Sequence, residues 1–338
     1  MISNPSGKIF VALCSVLLFA AIWRSRSPVV ASSNAAPAVK DQLAGTGESD
    51  GGVTASEGDL LIAKAIETLE QVPSVVAQIK HESRMFGQLL VGDGMYQQLN
   101  HPDGVMTRLE LSVQTDNQIT TLQHISNGQF LYMQEQQGNE QRVRRIDLRT
   151  VRRSQANVTG AAFASHRSES ASETPPRSMT HSIAIGGLPR LLAELQKNFT
   201  FRKPQAISFQ DDPVWAVAGE WKPERLRILL PTEKGIVLAN GNVNLEKIPA
   251  YIPDRVFVLL GRDGLFPYRL EYRKDEMSAL TARPVALSSS ANDALLTMDL
   301  YRVQIGTHAD VEMRDFWYQP DDHQKFEDYT NRFLKTLR

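Results

Sequence analysis

From residue 75 onward, apolar and polar positions alternate in short bouts, and Gly, Asn, Asp or Pro separates one bout from the next. Five such runs predict strands, at Val75–Lys80, Gln88–Tyr96, Val105–Gln114, Ile119–Ile125 and Gln129–Gln136. The clearest is Val105–Gln114. Its odd positions are Val105, Thr107, Leu109, Leu111 and Val113, and its even positions are Met106, Arg108, Glu110, Ser112 and Gln114. A strict period of two gives each strand one buried and one wet face, as in an antiparallel meander. Almost nothing in these runs could carry chemistry. A sheet with one greasy face and no catalytic group is a container or a docking surface before it is an enzyme.

Around the meander the periodicity changes. Ser56 predicts a helix cap, with Asp59 as the acid at N3, and Leu60, Leu61, Ala63, Ile66 and Leu69 form an apolar stripe that stops before Pro73. Residues 141–154 interleave Val143, Ile146, Leu148 and Val151 with arginines, and their ending predicts a short helix. Residues 155–182 are small and polar without period, and predict a mobile loop. A helix is expected over Leu188–Asn198, with Pro189 in its first turn. A second strand set follows at Phe199–Phe209, Val214–Trp221, Leu226–Leu230, Arg255–Leu260, Tyr268–Arg273 and Ala294–Ile305. Gly261-Arg262-Asp263-Gly264 reads as a hairpin turn. Lys234–Tyr251 has no clear period, with a helical reading around Val243–Ile248. A last strand at Phe316–Tyr318 and a helix over Asp321–Leu337 close the chain.

The N-terminus speaks about location. Lys8 precedes an apolar run from Ile9 to Trp23, and Arg24 and Arg26 follow it. Fifteen residues is the length of a signal-peptide core and slightly short of a span of ~20. The nearest small-residue cleavage pattern lies well past the run and beyond both arginines, which favours a signal anchor in residues 1–26. A small-residue cleavage pattern at Val29-Val30-Ala31 keeps a cleaved signal peptide as the alternative. Residues 27–55, rich in Ala, Ser, Gly and Pro, predict a flexible tether, and 56–338 a single folded domain. Either way the folded part is expected to be exported, with a retained segment anchoring it in the membrane through residues 9–23.

Charge and cysteine content narrow the classes. With 37 basic and 38 acidic residues, a formal net charge of -1 offers no basic face for nucleic acid. The single cysteine, Cys14, lies in the apolar run, so the folded part has neither a disulfide nor a thiolate nucleophile. No G-x-S-x-G or H-E-x-x-H pattern occurs, so no enzyme, metal or cofactor is expected, although catalytic groups can converge from distant strands.

Gly92–Tyr96 with the alternating strand after it, Ser126–Met133, Gly261–Tyr272 and Phe316–Pro320 resemble, in this order, stretches of the periplasmic outer-membrane lipoprotein carrier superfamily, of the LolA, LolB and RseB type. This resemblance implies the periplasmic side of a bacterial envelope and the inner membrane as the place of anchoring. Gly92-Asp93-Gly94-Met95-Tyr96 and the alternating strand after it are similar to that family's second and third strands. Ser126-Asn127-Gly128-Gln129-Phe130-Leu131-Tyr132-Met133 is similar to its next hairpin. Gly261–Tyr272 resembles its late hairpin, and Phe316-Trp317-Tyr318-Gln319-Pro320 its last strand ending. The resemblance covers roughly residues 56–325. It implies an α+β fold, a strongly curved antiparallel sheet forming an unclosed β-barrel with helices plugging the concave face. It also implies a hydrophobic cavity for acyl chains of lipids or lipoproteins. Before the proline that follows the second strand, where the carriers have a basic residue, this chain has His101.

Candidate contact residues follow. Val105, Leu109, Leu111 and Val113 either line a ligand cavity or form ordinary core. Trp215 and Trp221 share a strand face and either border the same cavity or simply pack. Arg142, Arg144, Arg145 and Arg149 belong to a run of six arginines in twelve residues. They present either a solvated helical face or a contact for anionic headgroups or an acidic partner. Two functions are expected to compete: a binder of lipid or acylated protein, and a membrane-tethered sensor or scaffold that docks another envelope protein.

Overall fold

The computed structural model describes residues 55–85, 88–102, 104–115, 118–154, 179–231, 235–238, 240–274, 294–320 and 325–336. The expected anchor and tether, and most of the expected loop at 155–182, lie outside them. A helix begins at Met179, inside the range over which the composition predicts a loop.

Helix α1 (Glu57–Gln71) starts at Ser56, whose hydroxyl accepts the Asp59 N–H at 3.0 Å. The Asp59 carboxylate reaches across the fold and accepts the Phe201 N–H at 3.0 Å, which ties the helix start to the sheet. The buried stripe is Gly58, Ile62, Ala65 and Leu69; of the expected stripe Leu69 is buried, Leu61 and Ile66 are half-buried, and Leu60 and Ala63 are exposed. Gly58 sets this rotation. A Cβ there would lie 2.0 Å from the Arg202 carbonyl oxygen, so only glycine lets the helix settle this close.

Six strands follow as a meander: β1 (Ser74–Met85), β2 (Gln88–Leu99), β3 (Met106–Thr115), β4 (Gln118–Ser126), β5 (Phe130–Gln137) and β6 (Glu140–Asp147). The sixth strand is the arginine segment, and a helical turn, α2 (148–154), ends it as expected. Arg142, Arg144 and Arg145 therefore sit on a strand rather than on a helical face, since apolar Val143 and Ile146 are drawn to opposite sides of the sheet.

Helix α3 (Met179–Asn198) is two helices joined at Gly186 and Gly187, and its second half matches the expected Leu188–Asn198. The expected strand at 199–209 is broken by Arg202-Lys203-Pro204 into β7 (Phe199–Phe201) and β8 (Gln205–Phe209), because proline cannot continue the ladder. Both pair with β9 (Asp212–Trp221). Residues 226–230 are not a strand. Pro223 opens a short helix, α4 (Pro223–Leu229), at the position where its fixed φ favours a helix start. Beyond it, Ile236, Ile248 and Ile252 bury in the main core around a single 3-10 turn, Leu245–Lys247.

β10 (Arg255–Gly261), the predicted turn and β11 (Pro267–Arg273) form the late hairpin, and β12 (Ala294–Ile305) pairs with both β11 and β1. The expected strand at 316–318 is instead a 3-10 turn, Met313–Phe316, followed by an extended segment. Phe316 is fully buried, and Tyr318 stacks on Tyr132 with ring centroids 4.7 Å apart. Of the C-terminal helix expected over Asp321–Leu337, the described part is a two-residue strand, β13 (Glu327–Asp328), and α5 (Thr330–Thr336). Asp328 accepts the Thr330 N–H and so delays the helix start.

The described strands join one sheet in the order β13-β6-β5-β4-β3-β2-β1-β12-β11-β10-β9-β7, with β8 off this path and paired to β9, antiparallel except where β13 joins β6. The end strands do not pair with each other, so the strongly curved sheet is an unclosed barrel. Helices α1 and α3 lie against its inner face, with α3 next to β3, β4 and β7 and α1 next to β7. Gly92 and Gly94 permit the tight coiling of β2 against β3. A Cβ on Gly94 would lie 2.0 Å from the Glu110 carbonyl oxygen, and one on Gly92 would lie 2.8 Å from that of Ser112.

Candidate ligand-binding face

The pleat sorts the side chains of the sheet into two sets. Inward on β1 are Val75, Ala77, Ile79, His81 and Ser83, and on β2 Leu90, Gly92, Gly94, Tyr96 and Gln98. On β12 they are Leu296, Met298 and Leu300, on β11 Leu270 and Tyr272, and on β10 Val256, Val258 and Leu260. Val217 and Gly219 of β9 complete the row. Most of these belong to one hydrophobic core shared with α1, α3 and Leu226–Ile252. Charged groups go outward, as with Lys80, Glu82 and the Arg269–Asp299 pair at 2.5 and 2.8 Å. Over β1, β2 and β9–β12, the inward positions just named include no charged side chain.

The aliphatic positions of β3 fall where alternation placed them. Leu109, Leu111 and Val113 are buried in the main core, and Val105, just before the strand, is half-buried. Thr107, in the same row, donates to the Ala184 carbonyl at 2.9 Å and holds the first half of α3 over the strand. Trp215 and Trp221 do share the inner face. Trp221 is buried, packs on Phe199 with ring centroids 4.2 Å apart, and donates from its indole nitrogen to the Pro253 carbonyl at 2.7 Å. Trp215 is half-buried, with the Arg262 guanidinium 4.9 Å from its ring centroid.

A polar ladder crosses this apolar surface on β2. The Tyr96 hydroxyl donates to Gln98 Oε1 at 2.5 Å, and the Gln98 amide nitrogen donates to Asn100 Oδ1 at 3.1 Å. The Asn100 amide nitrogen donates to the carbonyls of Glu70 and Val72 at the end of α1. At the other end, Tyr96 and Gln98 both accept the Leu188 N–H, at 3.1 and 3.2 Å. Three residues at alternate positions thus satisfy the end of one helix and the restart of another. Two buried groups on β1 are left out of this arrangement. His81 Nε2 and Ser83 Oγ have no hydrogen-bond partner among the described residues, and the side chains are 3% and 1% exposed. Burial lowers the His81 pKa to about 4, so the ring is neutral at ordinary pH.

A second histidine lies on the inner face of β4. His124 is buried, its ring centroid is 6.0 Å from that of His181 on α3, and Nδ1 has no hydrogen-bond partner among the described residues. Burial, reinforced by His181, lowers its pKa to about 3. It borders a smaller core of Leu131, Met133, Ile146, Leu148, Val151, Ala184 and Phe333.

The arginines are distributed over both faces and each meets an acid. Arg144 lies 3.2 Å from Glu135 and 3.8 Å from Glu327, and Arg145 lies 3.4 Å from Asp328. Arg149 pairs with Asp147, and the exposed Arg142 with Glu140. Arg145 and Arg149 also cover the ring of Phe130. His81, Ser83 and the Tyr96–Gln98–Asn100 ladder escaped the sequence reading, which ended the first strand at Lys80. The charges at Lys80, Glu82 and Arg84 were the available signal, since they continue the alternation to the end of β1 and turn His81 and Ser83 inward.

No protein-family model matches the chain, and a search of the curated proteins finds no match either. Solved structures with a similar course of the backbone include the Mycobacterium tuberculosis lipoprotein LppX. It is 8% identical, with a TM-score of 0.36, over 76% of this chain and 97% of that one. A DUF1329 family protein from Desulfovibrio piger is 10% identical, with a TM-score of 0.31, over 77% of this chain and 96% of that one. A domain described as an outer membrane lipoprotein-sorting protein from Vibrio parahaemolyticus is 12% identical, with a TM-score of 0.30, over 76% of this chain and 95% of that one.

Proposed function

We propose that the inner face of the sheet holds the hydrocarbon chain of a lipid or an acylated protein, in an envelope-facing domain anchored through residues 9–23 and carried on the tether at 27–55. One observation carries this reading. The inward positions named on β1, β2 and β9–β12 form a broad surface free of charge in an unclosed sheet, covered by the core side chains of α1, α3 and Leu226–Ile252. A greasy chain between sheet and helices would meet Leu109, Leu111 and Val113 on one side and Trp215 and Trp221 on the other, with Val105 at its edge. Burying a chain on such a face is favourable by about 0.8 kcal/mol per methylene. Recovery of lipid from the purified chain, or uptake of a neutral fluorescent probe that long acyl chains displace, supports the function. A lipid-free protein that takes up neither probe nor chain refutes it.

The alternative, a tethered sensor or scaffold for an envelope protein, draws on Arg142, Arg144, Arg145 and Arg149. Acids already occupy these side chains, so an anionic headgroup or an acidic partner would have to displace Glu135, Asp147 or Asp328. Charge reversal at Arg144 and Arg145 separates the two readings. It abolishes partner capture for a scaffold and leaves chain binding intact for a lipid binder.

A further inference from the structure

The inner face of β1, β2 and β9–β12 carries four buried polar side chains among the described residues: His81, Ser83, Tyr96 and Gln98. Tyr96 and Gln98 are satisfied by each other, by Asn100 and by the Leu188 N–H. His81 Nε2 and Ser83 Oγ are left over, two residues apart on one strand and on one side of it. Their neighbours in register are Gly92 and Met298 beside His81, and Leu90 and Leu296 beside Ser83. Leu90, Leu296 and Gly92 have no side-chain group to offer a hydrogen bond, and Met298 has only a weakly accepting thioether sulfur. Buried polar atoms in folded proteins are nearly always paired, so two adjacent exceptions in an apolar surface call for a partner from outside the described residues.

Resting on the acyl-binding reading above, we propose that His81 and Ser83 are the polar subsite of the ligand and hydrogen-bond the ester or amide group that joins its chain to its head. Both are suited to an uncharged partner. A serine hydroxyl donates and accepts, and a neutral imidazole nitrogen does one or the other according to tautomer. The ring is held neutral by its burial, and the charged groups nearest in sequence, Lys80 and Glu82, bond to each other on the opposite face at 2.9 Å. A free carboxylate would lie here desolvated and without a cation, which disfavours fatty acid anions. An ester or amide carbonyl brings an acceptor with no net charge, and its chain continues over Ile79, Leu296 and Met298. Acylglycerols and acylated N-terminal groups share this chemistry.

The experiment uses the delipidated full-length chain loaded with a neutral naphthylamine probe, displaced by 1-monododecanoylglycerol, by 1-O-dodecylglycerol or by dodecanoate. The first two differ only in one carbonyl. The ester is expected to displace the probe about tenfold better than the ether, the ratio of one ordinary hydrogen bond, and better than the anion. Ser83→Ala, which removes one hydroxyl, should reduce the preference severalfold, and His81→Phe with Ser83→Ala should bring it to about one while ether binding persists. Ser83→Ala should also leave the ligand-free protein at least as heat-stable as the parent, because it deletes an unpaired buried group. Equal displacement by ester and ether in the parent, or an undiminished ester preference in Ser83→Ala, overturns the subsite. Failure of all three compounds to displace the probe overturns the acyl-binding reading itself.

Discussion

The hydroxyl of Tyr96 on the second strand accepts the backbone N–H of Leu188 at 3.1 Å, so that a side chain of the sheet restarts a helix ninety-two positions later. Gln98 accepts the same N–H at 3.2 Å and alone continues the ladder to Asn100 and the end of α1. The two residues are therefore unequal. Tyr96→Phe leaves Leu188 with one acceptor and should cost about 1 kcal/mol in denaturant unfolding. Gln98→Leu removes the shared partner of Tyr96, Asn100 and Leu188, and should cost about 2–3 kcal/mol, since several buried groups then go unmade. The double variant should cost less than the sum, because the residues act as one network.

Gly187 sits where that ladder meets α3, at φ +69°, and a Cβ there would lie 2.2 Å from Gln98 Oε1. Gly138, in the tight turn between β5 and β6, has φ +57° but open space around it. Alanine at each position separates backbone strain from collision. Gly138→Ala should cost about 1 kcal/mol in thermal or denaturant unfolding. Gly187→Ala should cost clearly more, with changed near-ultraviolet signal from Tyr96. Equal costs at the two sites would show that the ladder yields without penalty.

Alternation made the meander legible because period two survives whatever packs above it. The runs at Val105–Gln114 and Ala294–Ile305 match β3 and β12 to within a residue. Errors arose where a long-range contact overrode local pattern. The stripe of α1 rotated because Gly58 meets Arg202, and residues 226–230 became a helix because Pro223 precedes them. Phe316 gave up the ladder to bury under the outer face of β3, where Arg108 donates to the Asp315 carbonyl at 2.9 Å. The inner-face aliphatics and the shared face of Trp215 and Trp221 could be read in advance. The orphaned atoms of His81 and Ser83 could not, since whether a polar atom is satisfied depends on what the opposite elements present.

Arg145 lies between the rings of Phe130 and Phe326, at 5.3 and 5.6 Å, and bonds Asp328 at 3.4 Å, while its backbone carbonyl accepts the Tyr329 N–H. It fastens the C-terminal segment to β6. Arg145→Glu should cost about 1–2 kcal/mol and raise amide hydrogen exchange across residues 327–336, because it removes a cation from two rings and adds repulsion to Asp328. Arg142→Glu, on the exposed end of the same strand, should cost at most about 0.5 kcal/mol and leave exchange in that segment unchanged. Faster exchange in both variants would mean that general strand charge, and not the Arg145 contact, holds the segment.

Two inward histidines make the fold sensitive to acid. Burial lowers His81 to about 4 and His124 to about 3, each from 6.5. For His124 the neighbouring His181 and the Arg144 guanidinium push the same way, while its hydrogen bond to the Thr180 backbone opposes them. For His81 the Glu82 carboxylate is the opposing group. A lowered histidine pKa means that the unfolded chain binds protons that the folded chain refuses. Stability is therefore unaffected by these groups above pH 6.5 and falls as pH drops from 6.5 toward each folded value. The expected slope is about 1.4 kcal/mol per pH unit for each histidine. Unfolding free energies measured by urea between pH 7.5 and 4.5 should drop steeply in the parent chain. His124→Leu should remove about half of the histidine-linked slope, and His81→Phe a similar share. A parent curve that stays flat from pH 6.5 to 4.5, or a slope that survives both substitutions, would show that these rings take up protons within the folded state.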